Sequence, residues 1–145
     1  MLKKSILIVD DEEDIRDLLS YNLEKSGFNV DVASNGMECL SKLKSNKHDL
    51  ILLDVMMPEM DGLEVCERIK SESTNADVLI CFLTARGEDY SQIAALESGG
   101  DDYVTKPIKP KVLLSRINAI LRRTEAKGIS QINGIQIDYE KYIVY

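Results

Sequence analysis

The chain has 145 residues, with 18 lysines and arginines against 25 aspartates and glutamates, a formal net charge of −7. That length suits one domain with a modest surplus, and 44% hydrophobic with 30% charged residues is the balance of a protein that buries a sizeable core. The acidic excess argues against this segment gripping nucleic acid itself, because phosphate contacts need a basic face. No apolar stretch approaches the ~18 residues of a membrane span. Met1-Leu2-Lys3-Lys4 enters the first strand at once, without a separate apolar segment or a small-residue cleavage site, so no signal peptide is expected. Cys39, Cys66 and Cys81 are odd in number, lie in apolar patterns and lack metal spacing, which predicts buried reduced thiols in a cytoplasmic protein.

Five short apolar runs alternate with amphipathic stretches. Ile6-Leu7-Ile8-Val9 is the first predicted strand and runs straight into Asp10-Asp11-Glu12. Apolar runs of this length, bounded by turn signals, read as strands buried on both faces. The first helix carries Ile15, Leu18, Leu19 and Leu23 at helical spacing and stops at Gly27. A short strand over 29–33 follows, then a helix starting near Gly36 that turns Leu40 and Leu43 inward. Leu50-Ile51-Leu52-Leu53 is the third strand and ends at Asp54. After a turn around Pro58, Asp61 is placed to cap a helix bearing Leu63, Val65, Cys66 and Ile69. The fourth strand spans about 78–83 and reaches Thr84, and a weaker helix with Ile93 and Leu96 ends at Gly99-Gly100. A very short fifth strand, Tyr103-Val104-Thr105, reaches Lys106-Pro107. The last helix follows Pro110 with Leu113, Leu114, Ile117, Ile120 and Leu121, and finishes at Arg122-Arg123. From Thr124 helical periodicity is lost, and 135–145 reads as two strand-like pieces of a hairpin. An isolated hairpin is marginal in water, so 135–145 is expected to open a second domain that the chain does not complete.

Strict strand–helix alternation predicts a doubly wound, five-stranded parallel sheet with helices on both faces. The carboxyl ends of such strands share one edge, and ligands bind there. Asp10, Asp11, Asp54, Thr84 and Lys106 would converge on it. Carboxylates brought together repel unless a cation or shifted pKa values relieve them, and hard oxygen donors suit magnesium. Asp10 or Asp11, Asp54 and a backbone carbonyl would hold it. A carboxylate beside a cation and a lysine is placed to attack a phosphoryl group, with Thr84 donating to one of its oxygens, which leaves an acyl phosphate on Asp54. Taken singly, each residue has an ordinary reading: Asp10 and Asp11 as helix caps or solvated acids, Thr84 as a strand-end hydroxyl, Lys106-Pro107 as a surface turn. Their coincidence at successive strand ends makes a shared site the better account. His48 has no visible ligand partner and reads as structural or exposed, Met56, Met57 and Met60 as packing or turn residues, and Gly99-Gly100 as backbone freedom.

These residues resemble those of the receiver domain of two-component response regulators. Asp10-Asp11-Glu12 is similar to the family's acidic metal pocket, and Asp54-Val55-Met56-Met57-Pro58-Glu59-Met60-Asp61-Gly62 to its phosphoacceptor loop. Thr84-Ala85-Arg86-Gly87 and Lys106-Pro107 are similar to its switch threonine and its lysine, and the match covers about 4–123. The resemblance implies a flavodoxin-like (CheY-like) fold with strand order 2-1-3-4-5. It implies Asp54 as phosphoacceptor, with Mg2+ held by Asp10, Asp11, Asp54 and the backbone carbonyl of Met56. It also implies a cis Lys106-Pro107 bond that aims the lysine inward, and Thr84 with Tyr103 as the moving switch pair. Such a domain is regulatory and not an enzyme in the usual sense, although it catalyses its own aspartyl phosphorylation and dephosphorylation.

The run 99–107 and the closing Arg122-Arg123 resemble the OmpR/PhoB-type transcription regulators, and 135–145 is similar to the first strands of their winged-helix domain. This implies a receiver at 1–123, a linker at 124–134 and, at 135–145, the start of a truncated C-terminal DNA-binding effector domain. It implies a sensor histidine kinase as partner, DNA contacted through the C-terminal domain only, and no membrane. A homodimer on phosphorylation would form through the fourth helix, fifth strand and fifth helix, where Asp102 with Arg116 and Asp101 with Arg123 match pairs used across the face. Ala94, Val112 and Asn118 depart from the charged residues usual there, so part of the inter-subunit charge network is absent or replaced by apolar contact. A hydrolase of the haloacid dehalogenase type would need a second acid two residues after its nucleophile, and that position is Met56. A magnesium site without phosphorylation leaves Thr84 and Lys106 without a role. The alternative is a stand-alone receiver that relays phosphate or binds a protein without DNA-binding output, and the hairpin-like tail speaks against it.

Overall fold

The computed structural model describes residues 3–72, 77–85, 97 and 99–133, with side chains as far as 123. Its elements are β1 (Ser5–Val9), α1 (Glu13–Lys25), β2 (Asn29–Ala33), α2 (Gly36–Ser45), β3 (Leu50–Asp54), α3 (Gly62–Ser71), β4 (Leu79–Ala85), β5 (Asp102–Lys106) and α4 (Pro110–Asn133). The weaker helix expected around Ile93 and Leu96 lies outside the described residues, Glu97 excepted, so α4 is the helix that follows Pro110. Arg86, Ala94 and the hairpin expected at 135–145 lie outside them too.

All four strand pairings are parallel, in the order β2-β1-β3-β4-β5. β3 lies at the centre and is buried at every position, which is why its sequence is a continuous apolar run and not an alternating one. The period of two still divides its side chains between the faces. Leu7, Val9, Ile51, Leu53 and Phe82 pack with Cys39 and Leu43 of α2 and Val65 and Ile69 of α3. Ile6, Ile8, Leu50, Leu52 and Leu83 pack with Leu19 and Leu23 of α1 and Leu113, Ile117 and Ile120 of α4. The three cysteines are buried in these layers and form no disulfide among the described residues. Burial pushes the Cys39 and Cys81 thiols up to about 12, which keeps them unreactive.

Several sequence expectations change. Leu18 is 45% exposed, while Leu19 and Leu23 are buried; α1 meets the sheet along the 15/19/23 stripe, and Leu18 is turned about 100° away from it. β5 is as long as β1, because the polar residues Asp102 and Lys106 join the ladder opposite Cys81 and Ala85. α4 does not finish at Arg122-Arg123 but continues to Asn133. That stretch holds no proline, and the cost of Gly128, about 1 kcal/mol against alanine, is small beside good helix formers such as Glu125, Ala126 and Lys127. His48 proves structural: it is buried, with Nε2 3.6 Å from Asp31 Oδ2, and Asp31 also takes Lys42 Nζ at 2.9 Å.

Candidate functional site

The parallel order brings the carboxyl ends of β1, β3, β4 and β5 to one edge. Asp54 closes β3 and is 2% exposed, and Asp10, one residue beyond β1, is fully buried. With exposed Asp11 they offer carboxylate oxygens within 4.8 Å of one another. Lys106 closes β5, and its Nζ lies 3.2 Å from Asp10 Oδ2, 3.3 Å from Asp54 Oδ1 and 3.8 Å from Glu12 Oε2. The Lys106–Pro107 bond is cis. Thr84 is buried in β4, one residue past the position paired with Asp54. Its hydroxyl has no hydrogen-bond partner among the described residues. The five residues singled out from the sequence therefore do meet at one edge.

Local bonds hold the two loops. The Asp10 N–H donates to the Ala33 carbonyl at 3.2 Å, Asp10 Oδ1 accepts from the Glu12 N–H at 2.9 Å, and Arg16 Nη1 donates to the Asp10 carbonyl at 2.8 Å. Asp10 and Asp11 are not caps, since α1 starts after Glu12, whose side chain makes no capping bond. After β3, the Met56 N–H donates to Asp54 Oδ1 at 3.3 Å, and the Gly62 N–H donates to the Val55 carbonyl at 2.9 Å. Asp61 caps α3 as expected, accepting from the Glu64 N–H at 2.9 Å. A Cβ on Gly62 would sit 2.3 Å from the Asp54 carbonyl oxygen, so the absence of a side chain is what lets α3 begin this close. Met56 is 62% exposed, whereas Met57 and Met60 are buried.

Burial pushes the Asp54 carboxyl up to about 7, the charge of Asp10 adds to the rise, and Lys106 offsets it only in part. Burial raises Asp10 as well. Burial works against the Lys106 ammonium, but Asp54 and Asp10 outweigh it and hold its pKa above the usual value. One ammonium thus faces two buried carboxylates, with a third acid beside them. Asp10 Oδ2 is sealed from solvent and carries no aligned hydrogen bond among the described residues. This cluster of hard oxygen donors fits a divalent cation held by Asp10, Asp11 and Asp54.

Tyr103 pairs in register with Phe82 and packs half-buried against the same apolar cluster. Four residues expected on a dimer face do not join the acidic edge. Asp102 pairs with Arg116 Nη1 within one chain at 3.3 Å, Asp101 accepts from the Ile80 N–H at 2.8 Å, and Arg123 is exposed. Sequence reasoning passed over Arg16, which gives no signal beyond an arginine on the first turn of a helix. A groove of about 730 Å³ opens between α2 and α3, lined by Leu40, Lys44 and Ile69, and touches none of the site residues.

Fold and site define a class of protein. The family model of the response regulator receiver domain matches residues 6–118, and the chain belongs to that family. It is 48% identical over 124 residues to the alkaline phosphatase synthesis transcriptional regulatory protein PhoP of Bacillus subtilis, covering 86% of this chain and 51% of that protein. It is 39% identical over 140 residues to the response regulator ArlR of Staphylococcus haemolyticus, covering 97% of this chain and 63% of that protein. The chain thus spans between about half and just under two thirds of these relatives. A two-component response regulator from Clostridium difficile has a solved structure that superposes with a TM-score of 0.78 at 38% identity, covering 84% of this chain and 98% of that one. The chemotaxis protein CheY4 of Vibrio cholerae gives 0.78 at 28% identity, covering 82% and 99%. The CheY-like fold expected from the sequence is the fold observed. Among the described residues no helix is long and apolar enough to cross a membrane.

Proposed function

We propose that the chain is the phosphorylation switch of a transcription-regulating response regulator. In this reading Asp54 accepts a phosphoryl group from a sensor histidine kinase, with Mg2+ as cofactor, and the change biases the molecule toward a homodimer. The observation that carries the reading is the convergence of Lys106 on Asp10 and Asp54, within 3.3 Å of each, at the sheet edge where buried Thr84 has no hydroxyl partner among the described residues. Held by Asp10, Asp11, Asp54 and the Met56 carbonyl, Mg2+ would supply positive charge that keeps Asp54 ionised and offsets charge on the phosphoryl oxygens. A carboxylate oxygen of Asp54 attacks phosphorus. The new P–O bond forms as the P–N bond to the donor imidazole breaks, and the released nitrogen keeps the electron pair. Lys106 pairs with one phosphoryl oxygen and the Thr84 hydroxyl donates to another. In a separate hydrolysis a water oxygen attacks phosphorus, the bond to Asp54 breaks with the electron pair left on the carboxylate, and inorganic phosphate departs with the protons of water, so the domain catalyses both its own phosphorylation and its own dephosphorylation.

The acyl phosphate adds roughly −1.5 to −2 charges. Thr84 is drawn toward it, Tyr103 turns into the space released, and the surface of β5 and α4 shifts toward the dimer. Residues 1–123 act as receiver, 124–134 connect, and 135–145 begin the C-terminal domain that contacts DNA in the cytoplasm. Incubation with MgCl2 and acetyl phosphate, followed by intact-mass measurement, tests the chemistry. The native chain should gain one phosphoryl group, and neither Asp54→Asn nor the native chain without magnesium should. Equal labelling of the Asn variant would overturn the assignment.

A further inference from the structure

We infer that Arg16 is a positioning residue for the divalent-cation site, an inference that rests on the function proposed above. Every polar group of Asp10 is committed: its N–H to Ala33, Oδ1 to the Glu12 N–H, Oδ2 facing Lys106, and its carbonyl to Arg16 Nη1 at 2.8 Å. The first three contacts, two hydrogen bonds and one ion pair, come from the sheet, the loop itself and β5. The fourth comes from α1, whose backbone is anchored to the same loop where the Arg16 N–H donates to the Glu12 carbonyl at 3.2 Å. Arg16 therefore grips the 10–12 turn twice, by main chain and by guanidinium, and fixes the peptide that joins Asp10 to Asp11. The direction in which those two carboxylates point follows from that peptide.

Two further features make the contact more than a tether. The guanidinium gives a charge-assisted bond to a carbonyl in a turn crowded with acids. It adds no cation against the carboxylate of Asp10, because it meets the backbone carbonyl. Groups of this kind orient metal ligands without touching the metal, and their loss typically weakens metal binding ~10–100-fold. Lysine keeps the charge but carries it on a compact ammonium that does not occupy the position of Nη1, so Arg16→Lys should recover only part of the effect.

The test is a titration of the unphosphorylated protein with MgCl2, followed by backbone amide shifts in NMR spectra of the native chain, Arg16→Ala and Arg16→Lys. The native chain should saturate, the alanine variant should need about tenfold more magnesium, and the lysine variant should fall between. Dispersed spectra away from 10–12 would show that the variants are folded. With acetyl phosphate, the half-saturating magnesium concentration should rise in Arg16→Ala while the rate at saturating magnesium holds. Native-like magnesium affinity in a folded Arg16→Ala overturns the inference alone. A native chain that binds no magnesium overturns the proposed function, and this inference with it.

Discussion

The residue that carries the most chemistry is also one that the fold penalises for being charged. Burial and the neighbouring Asp10 push Asp54 up to about 7, well above the ordinary carboxylate range. Without a cation, the folded protein keeps a proton there that the unfolded chain gives up from about pH 4 upward. Between about pH 4 and 7 the native state therefore binds more protons than the unfolded one, so stability falls as pH rises through that window, and the loss is complete above it. Asp54→Asn removes the penalty. In thermal denaturation without divalent ions the Asn variant should match the native chain near pH 4 and exceed it at pH 8 by ~2–4 kcal/mol, with saturating MgCl2 narrowing the gap. Equal stability at pH 8 would mean that Lys106 alone neutralises the centre. Asp10, Asp54, Thr84 and Lys106 were legible in the sequence because parallel strands deliver their last residues to one edge. The contacts of Arg16 and the Asp31–Lys42–His48 group were not, since they depend on loop paths and on how α2 leans over β2.

Among the elements, the loop from β3 into α3 couples stability to the site. Asp61→Ala removes one capping bond to the Glu64 N–H and should cost about 1 kcal/mol in urea denaturation, with phosphorylation intact. Gly62→Ala is a different matter: its Cβ would collide with the Asp54 carbonyl at 2.3 Å. Relief requires α3 or the end of β3 to move, so the expected cost is ~1–3 kcal/mol together with slower phosphorylation. A Gly62→Ala chain as fast as the native one would show that the approach is not needed for the site. The cap at Asp61 was readable because a lone acid stood before an apolar helical stripe, while Asn35, which caps α2 through the Glu38 N–H, was passed over beside Gly36. The end of α4 was misplaced because amphipathic pattern marks where a helix packs, not where its backbone stops.

At the scale of the whole molecule, alternation of strands and helices dictated a parallel sheet, but the order β2-β1-β3-β4-β5 came from family resemblance, since periodicity carries no information about which strands are neighbours. The dimer proposal belongs to this scale. Asp102 and Arg116 close a partly exposed pair within one chain, and pairs of that kind contribute ~0–1 kcal/mol to folding. Arg116→Ala should therefore leave the denaturation midpoint nearly unchanged while weakening the dimer that sedimentation velocity detects after acetyl phosphate treatment. An unaltered dimer would confine the pair to a role inside one chain. The central claim is that Asp54 is the phosphoacceptor. Borohydride reduction of the phosphorylated chain turns an aspartyl phosphate into homoserine, and peptide mass mapping locates it. Homoserine at position 54, formed only when magnesium and phosphodonor are both present, is the expected result; homoserine at another acid, with position 54 unmodified, would contradict the account.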